Sequence, residues 1–204
     1  MKKAIIIILI AVVAATSVFA SAVHLGFMQS MFHTSFITDV EGDRFGVEGA
    51  VGIPFFQGVF GAIDYAATGG KDDEGNPKDF DILEMFLLPS AMVNGYWKVV
   101  DGKVFGFRLG LEVDAMSILD DSGFSVVGLL GISMGLNFKF NDRFSMNLSG
   151  CLPAGVIANL IAKDAANYTV FAFTTKQDNN WDFLMIIPTI YNSFARLSFK
   201  WALN

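Results

Sequence analysis

From Phe105 to Ala115 the chain reads Phe-Gly-Phe-Arg-Leu-Gly-Leu-Glu-Val-Asp-Ala. Every odd position is apolar, and every even one is glycine or charged. A period of two is that of a β-strand, whose successive side chains point to opposite faces. The pattern then repeats. Val126, Leu130, Ile132, Met134, Leu136 and Phe138 share one face, and Ser125, Gly131, Ser133, Gly135, Asn137 and Lys139 share the other. Phe144, Met146 and Leu148 alternate with Ser145, Asn147 and Ser149. The polar face mixes charge with glycine, which suits a narrow interior where strands curve and side chains compete for room. The apolar face is continuous and aromatic at its ends, which suits lipid. The stretch predicts an all-β fold: a single antiparallel up-and-down transmembrane β-barrel of about eight strands.

Composition supports this through an apparent contradiction. The chain is 53% hydrophobic with mean hydropathy +0.49, values usual for helical membrane proteins. After the N-terminal segment, however, no apolar run reaches the roughly 18 residues a spanning helix needs. Leu83–Val93 and Phe183–Tyr191 come closest, and each holds a proline. High hydrophobicity without long runs is what alternating barrel strands produce. The N-terminal segment itself has Lys2-Lys3, an apolar run from Ala4 to Ala15, and small residues up to Ala20. That is the pattern of a signal peptide over residues 1–20, cleaved after Ala20 or Ala22. It leaves one barrel domain over 21–204, exported to the outer membrane of a diderm bacterium. The formal net charge of -6 argues against a nucleic-acid partner. The single cysteine, Cys151, excludes an internal disulfide and reads as a buried inward thiol.

Taken in order, strands are expected over about 22–32, 45–53, 59–65, 83–99 and 103–119, then a sixth that follows the 120–123 link and ends at Phe140, a seventh over 144–160 and an eighth up to Trp201. Thr38–Arg44 reads as a polar connection, and Pro54–Gly58 as a tight aromatic turn. Ala66–Asp79 is the clearest loop; its acidic run lacks the alternating ligands of a calcium loop. Tyr168–Thr174 either extends strand seven or folds back over the rim. In the Val100-Asp101-Gly102 hairpin, glycine at the third position pairs Val99 with Lys103, Trp97 with Phe105 and Asn94 with Arg108. Asn141-Asp142-Arg143 pairs Phe140 with Phe144, both outward. Short connections follow strands two, four and six, and the two longest follow three and seven. That sorting puts both termini on the periplasmic side. The prolines belong at bulges or above the membrane band.

These features together resemble the small outer-membrane β-barrels of the OmpA, OmpX and OmpW kind. The resemblance covers nearly the whole mature chain. It rests on the signal, the alternation, the Phe140–Phe144 hairpin and the final Phe199-x-Trp201, which Ala202-Leu203-Asn204 follow. It implies assembly by the barrel-assembly machinery and contact with outer-membrane lipid or lipopolysaccharide. As a likeness of architecture it transfers class and compartment, not a substrate.

A barrel of eight strands is filled by its own side chains. The inward charges Arg44, Glu48, Arg108, Glu112, Asp114, Lys139, Arg196 and Lys200 are therefore expected to plug the lumen. Trp97, Phe105, Phe140, Phe144, Phe199 and Trp201 are expected to form an aromatic girdle. No cofactor or metal is expected. The function read from this is non-enzymatic: a scaffold or surface protein, or a narrow conduit for a small apolar ligand. Phe86, Leu88 and Met92 on the inner face of strand four would line such a conduit, and acidic outer loops would bridge lipopolysaccharide through divalent cations. Two alternatives differ in kind. His33-Thr34-Ser35 is similar to the His-x-Ser of lipid A deacylases, with Ser35 as nucleophile, His33 as base and Glu48 or Glu41 as orienter. Against it stands an exposed rim histidine at position 33; His24 reads as interior or at the periplasmic end. The other alternative is a soluble lipocalin-like barrel, which inverts inside and outside.

Overall fold

The structure, a computed structural model, describes residues 21–31, 33–71, 75–76, 88–120, 123–154, 173–174 and 195–203. The predicted signal peptide over residues 1–20 lies outside the described residues, as do Phe86, Pro188 and the acidic run at 72–74.

Among the described residues, nine strands and one helix follow in chain order. They are β1 (Ala22–Gln29), β2 (His33–Glu41), β3 (Phe45–Pro54), α1 (Phe56–Thr68), β4 (Ser90–Asp101), β5 (Phe105–Asp120), β6 (Gly123–Lys139), β7 (Phe144–Pro153), β8 (Phe173–Thr174) and β9 (Arg196–Ala202). Each long strand pairs antiparallel with the next, β7 pairs with β9, and β9 returns to β1. Eight strands thus close an up-and-down barrel with no free edge, which removes the aggregation hazard of an exposed ladder. The two residues of β8 pair with Val127 and Gly128 of β6, beyond the reach of β7.

The expected strand count is met by different strands. Residues 33–41, read in part as a connection, form β2. Residues 59–65, read as a strand, lie in α1. The two errors cancel, so the direction of every strand from β4 onward is as expected. Pro54–Gly58 is therefore no short turn; it opens the long connection at the opposite end. The helix ends where Gly69 takes the left-handed conformation (φ 65°) and the Gly70 N–H bonds the Tyr65 carbonyl at 2.9 Å. Paired glycines of this kind are a helix stop.

Turns 42–44, 102–104 and 140–143 share one end of the barrel with the start of β1 and the finish of β9; we call it the short-turn end. β1 to β2, β3 to β4, β5 to β6 and β7 to β9 connect at the other, the loop end, which takes the two longest connections together with two of only two or three residues. Among the described residues, proline sits only where the ladder does not need its missing N–H. Pro54 and Pro153 finish their strands, and Pro89 precedes one.

The β4–β5 register differs from expectation. Asn94 pairs with Glu112 rather than Arg108, and Trp97 with Leu109 rather than Phe105. The turn is 102–104, and the ladder is irregular between Lys98 and Val100. Up to Lys98 the slip is four residues, an even number, so those side chains keep their faces; past the irregularity it becomes odd. The Phe140–Phe144 hairpin is as expected: the Phe140 N–H bonds the Phe144 carbonyl at 3.0 Å and the rings stack at 5.5 Å.

Candidate functional site

Inward positions carry the charge of this barrel, and outward positions carry its apolar bulk. Asp39, Glu112 and Lys200 are at most 1% exposed, whereas Phe36 is 80% exposed, and Phe45 and Leu111 are each 66%. The buried charges gather in two groups.

The first group fills the half of the lumen toward the short-turn end. Asp39 on β2 is its hub. It accepts from Tyr96 Oη at 2.7 Å, from Arg108 Nη1 at 3.0 Å and from Lys200 Nζ at 2.7 Å. Arg108 also binds Glu41, and Lys200 also binds Glu48. Lys98 joins at 3.0 Å from Glu41. Three carboxylates thus meet three cations, so the buried set is neutral. Burying a charge is tolerable only when it is paired and hydrogen-bonded, and each member here is. The Arg108 guanidinium also lies 4.4 Å from the centre of the Tyr96 ring, a cation–π contact.

Local sequence makes room for this web. Tyr96 faces Gly46 on one neighbouring strand and Gly110 on the other. A side chain at position 46 would overlap the Tyr96 ring, and one at 110 would strike Asn94 and Ser133. Gly135 likewise stands opposite Arg108. The glycines that alternate with apolar residues in the sequence are the space into which large polar side chains fold. A cavity beside Glu48, Asn94, Tyr96, Arg108 and Asn147 measures about 10 Å³, room for about one water.

The second group lies toward the loop end. Arg196 on β9 reaches Glu112 on β5 at 2.7 Å and stands 3.9 Å from Asp114. Its other guanidinium nitrogen is 3.0 Å from the sulfur of Met92. Met92 is on β4, four strands round an eight-stranded barrel, so this contact crosses the full lumen. Beside it Met28, Ile37, Ala50 and Met92 form a buried apolar cluster from four adjacent strands. Cys151 is buried on the inward face, as expected, opposite Ser133.

The expected lumen residues are therefore placed as follows. Glu48, Arg108, Glu112, Asp114, Arg196 and Lys200 meet inside. Arg44 does not: it lies exposed in the 42–44 turn, because β3 begins only at Phe45. Lys139 is at the rim, about a third exposed, 2.5 Å from Asp101. Asp39, Glu41, Lys98 and Tyr96 were not in the expected lumen set, yet they form the centre of the web. The signal for the acids was present. Asp39-x-Glu41 repeats the spacing of Glu112-x-Asp114, two acids on one face of a strand.

The His-x-Ser pair assembles only in part. His33 is buried, not an exposed rim residue, and its Nε2 lies 2.8 Å from Ser35 Oγ and 2.5 Å from Ser90 Oγ. Glu48 faces Asp39, four residues along β3 from Gly52, the partner of Ser35. That is roughly 13 Å along the strand, and Glu48 is bound to Lys200. Glu41 is held by Arg108 and Lys98. Neither acid orients the histidine.

His24, Asp39 and Glu41 bring possible metal ligands within 4.8 Å of one another. Both carboxylates already bind cations, so a metal there would face Lys98, Arg108 and Lys200 at short range.

Outside, the expected girdle residues all point away from the lumen, and most cluster at the short-turn end. Phe144 stacks on Phe140 and packs on Trp201 at 5.1 Å and Phe199 at 6.3 Å. Phe27 lies 5.6 Å from Phe199, Phe105 5.6 Å from Phe138, and Phe45 6.5 Å from Trp97. Phe27, Phe45 and Phe138 extend the set.

No family model, curated protein or solved structure matches this chain. The likeness to small outer-membrane barrels therefore rests on the closed eight-stranded architecture and the residues above.

Proposed function

We propose that this chain is an outer-membrane β-barrel with a non-enzymatic scaffold or surface role, its lumen locked shut by ion pairs. The observation that carries the reading is the inversion of polarity: charges buried inside, and aromatic and aliphatic side chains exposed outside. A lipid-facing surface rewards that arrangement, since a Lys or Arg turned outward near midplane costs roughly 2–4 kcal/mol. A soluble lipocalin-like barrel needs the reverse. The aromatic cluster at the short-turn end supports an interfacial girdle. Short turns and strand termini at one end support a periplasmic placement of that end, with export by the N-terminal segment. Assembly by the barrel-assembly machinery and contact with lipopolysaccharide belong to the same reading.

The lock supports the scaffold reading over the conduit. Ion pairs join β5 to β2, β9 to β3 and β9 to β5, so they cross the lumen rather than run along its wall. The lipid A deacylase reading loses support because its serine and histidine are buried inside and neither Glu41 nor Glu48 orients them.

The test is gel mobility in SDS of membrane-extracted protein, unboiled against boiled, with fractionation and planar-bilayer recording. A heat-dependent shift, outer-membrane recovery and no steady conductance are expected. A soluble protein without a shift would falsify the membrane reading; a sustained open current would remove the lock.

A further inference from the structure

On the outer face of β3, β4 and β5 lies an apolar groove of about 520 Å³. Its floor is Gly95, which points outward; where a side chain would stand there is open space. Across the ladder Gly95 faces Val47 on β3 and Leu111 on β5. Along β4 the next outward residue is Trp97, which stacks against Phe45 and faces Leu109. The result is a slot one side chain deep in an otherwise continuous row of large residues.

The slot runs toward the short-turn end and meets charge there. Phe45 is the first residue of β3, and Arg44 precedes it, exposed. The Arg44 carbonyl accepts from the Lys98 N–H at 2.8 Å, which holds this turn against β4 beside Trp97. Lys103 is exposed in the adjacent 102–104 turn. Two carboxylates are near. Asp101 is bound to Lys139 at 2.5 Å and lies 3.5 Å from Lys98. Asp43 is exposed beside Arg44. The mouth of the groove thus offers two exposed cations against one acid not committed to another cation's bridge.

We propose that this groove holds one acyl chain of an anionic phospholipid whose headgroup binds Arg44 and Lys103. The proposal rests on the membrane reading above, which puts the short-turn end in the periplasmic, phospholipid leaflet. Inside a bilayer there is no general hydrophobic drive to cover an apolar slot, so its occupant is whatever packs into it best. A flexible chain one methylene wide fills a slot of this depth. Charge selects the headgroup. A second copy of this chain is disfavoured by the same charges: a two-fold axis along the membrane normal brings identical surfaces together, and Arg44 and Lys103 would meet their own copies.

Trp97 forms a wall of the groove and is its natural reporter. The chain has three tryptophans, so Trp181→Phe and Trp201→Phe together leave Trp97 as the only tryptophan, read by excitation that tyrosine does not absorb. The full chain is placed in phosphatidylcholine vesicles containing a small fraction of dibrominated phosphatidylglycerol, or the same fraction of dibrominated phosphatidylcholine. Quenching by the anionic lipid is expected to half-saturate at a mole fraction roughly three- to tenfold lower, as the one net positive charge of two interfacial cations against one acid would give. Arg44→Gln with Lys103→Gln should erase that preference. Gly95→Leu should erase it by filling the slot, and the turn variants guard against a folding defect in the leucine variant. Equal quenching by both lipids means ordinary boundary lipid and overturns the site while leaving the barrel intact. Quenching by neither, in a protein that still shifts on heating, means another chain covers the groove and overturns it too. A protein that neither inserts nor shifts overturns both readings.

Discussion

The two halves of the lumen are filled by different means. Toward the short-turn end, Asp39, Glu41 and Glu48 meet Lys98, Arg108 and Lys200, and the set is balanced and hydrogen-bonded. Toward the loop end Arg196 faces two acids, and the space beside it is taken by Met28, Ile37, Ala50 and Met92. Charge webs accept only one geometry, because each group needs its partners. Methionine is unbranched and fits many. The short-turn half should therefore be the rigid, register-setting part of the barrel, and the loop half the adaptable part.

The sharpest way to break that contrast is Asp39→Ala. The change leaves three buried cations to two carboxylates and strips Tyr96 of its acceptor. We expect a loss of about 3–5 kcal/mol in urea unfolding of the detergent-folded protein, the usual result of removing one partner from a buried ionic network. A loss under about 1 kcal/mol would show that the web is not the anchor of the short-turn half.

How much of this was legible depends on the element. Phe105–Ala115 and Gly131–Lys139 declare their faces by strict alternation, so Arg108, Glu112 and the glycines opposite them were placed from sequence. β2 was not, because Asp39, Glu41, Gly42 and Asp43 together look like a connection; the turn begins only at Gly42. The misreading of α1 has a different cause. Its Val59, Phe60, Ile63 and Tyr65 favour strands locally, and only the Gly69-Gly70 stop speaks for a helix. The β4–β5 register failed for a third reason: hairpin rules assume an unbroken ladder, and this one is irregular at Val99. Partner choice inside the lumen was never in the sequence, since it depends on which strands face each other after closure.

The second prediction tests the seat of Tyr96. Gly46→Leu puts a side chain where the phenol ring lies. Overpacking of this kind costs about 1–3 kcal/mol. The same substitution at Gly49, which points outward into open space, should leave the urea midpoint nearly unchanged. If both glycines respond alike, the inward glycines are not reserved space for the web.

The third prediction turns to the loop half. Met92→Leu conserves volume and should cost less than about 1.5 kcal/mol, even though Met92 is 3% exposed and touches Arg196. A loss matching Asp39→Ala would show that this half is as exacting as the other.

The smallest effect is expected at the rim, where the same chemistry meets water. Lys139 and Asp101 are 2.5 Å apart, as close as many of the buried pairs, yet 30% and 37% of their side chains are exposed. Solvent screens such pairs, so Lys139→Ala should change stability by about 0–1 kcal/mol. Raising the salt from about 0.1 M to about 1 M shortens the screening length from about 10 Å to about 3 Å and should remove even that. The loss in Asp39→Ala should survive the same salt, because ions do not reach a side chain that is fully buried. Distance alone would rank the rim pair beside the lumen pairs; burial separates them. A salt-insensitive loss at Lys139 comparable to that at Asp39 would mean that the lock extends to the mouth of the barrel.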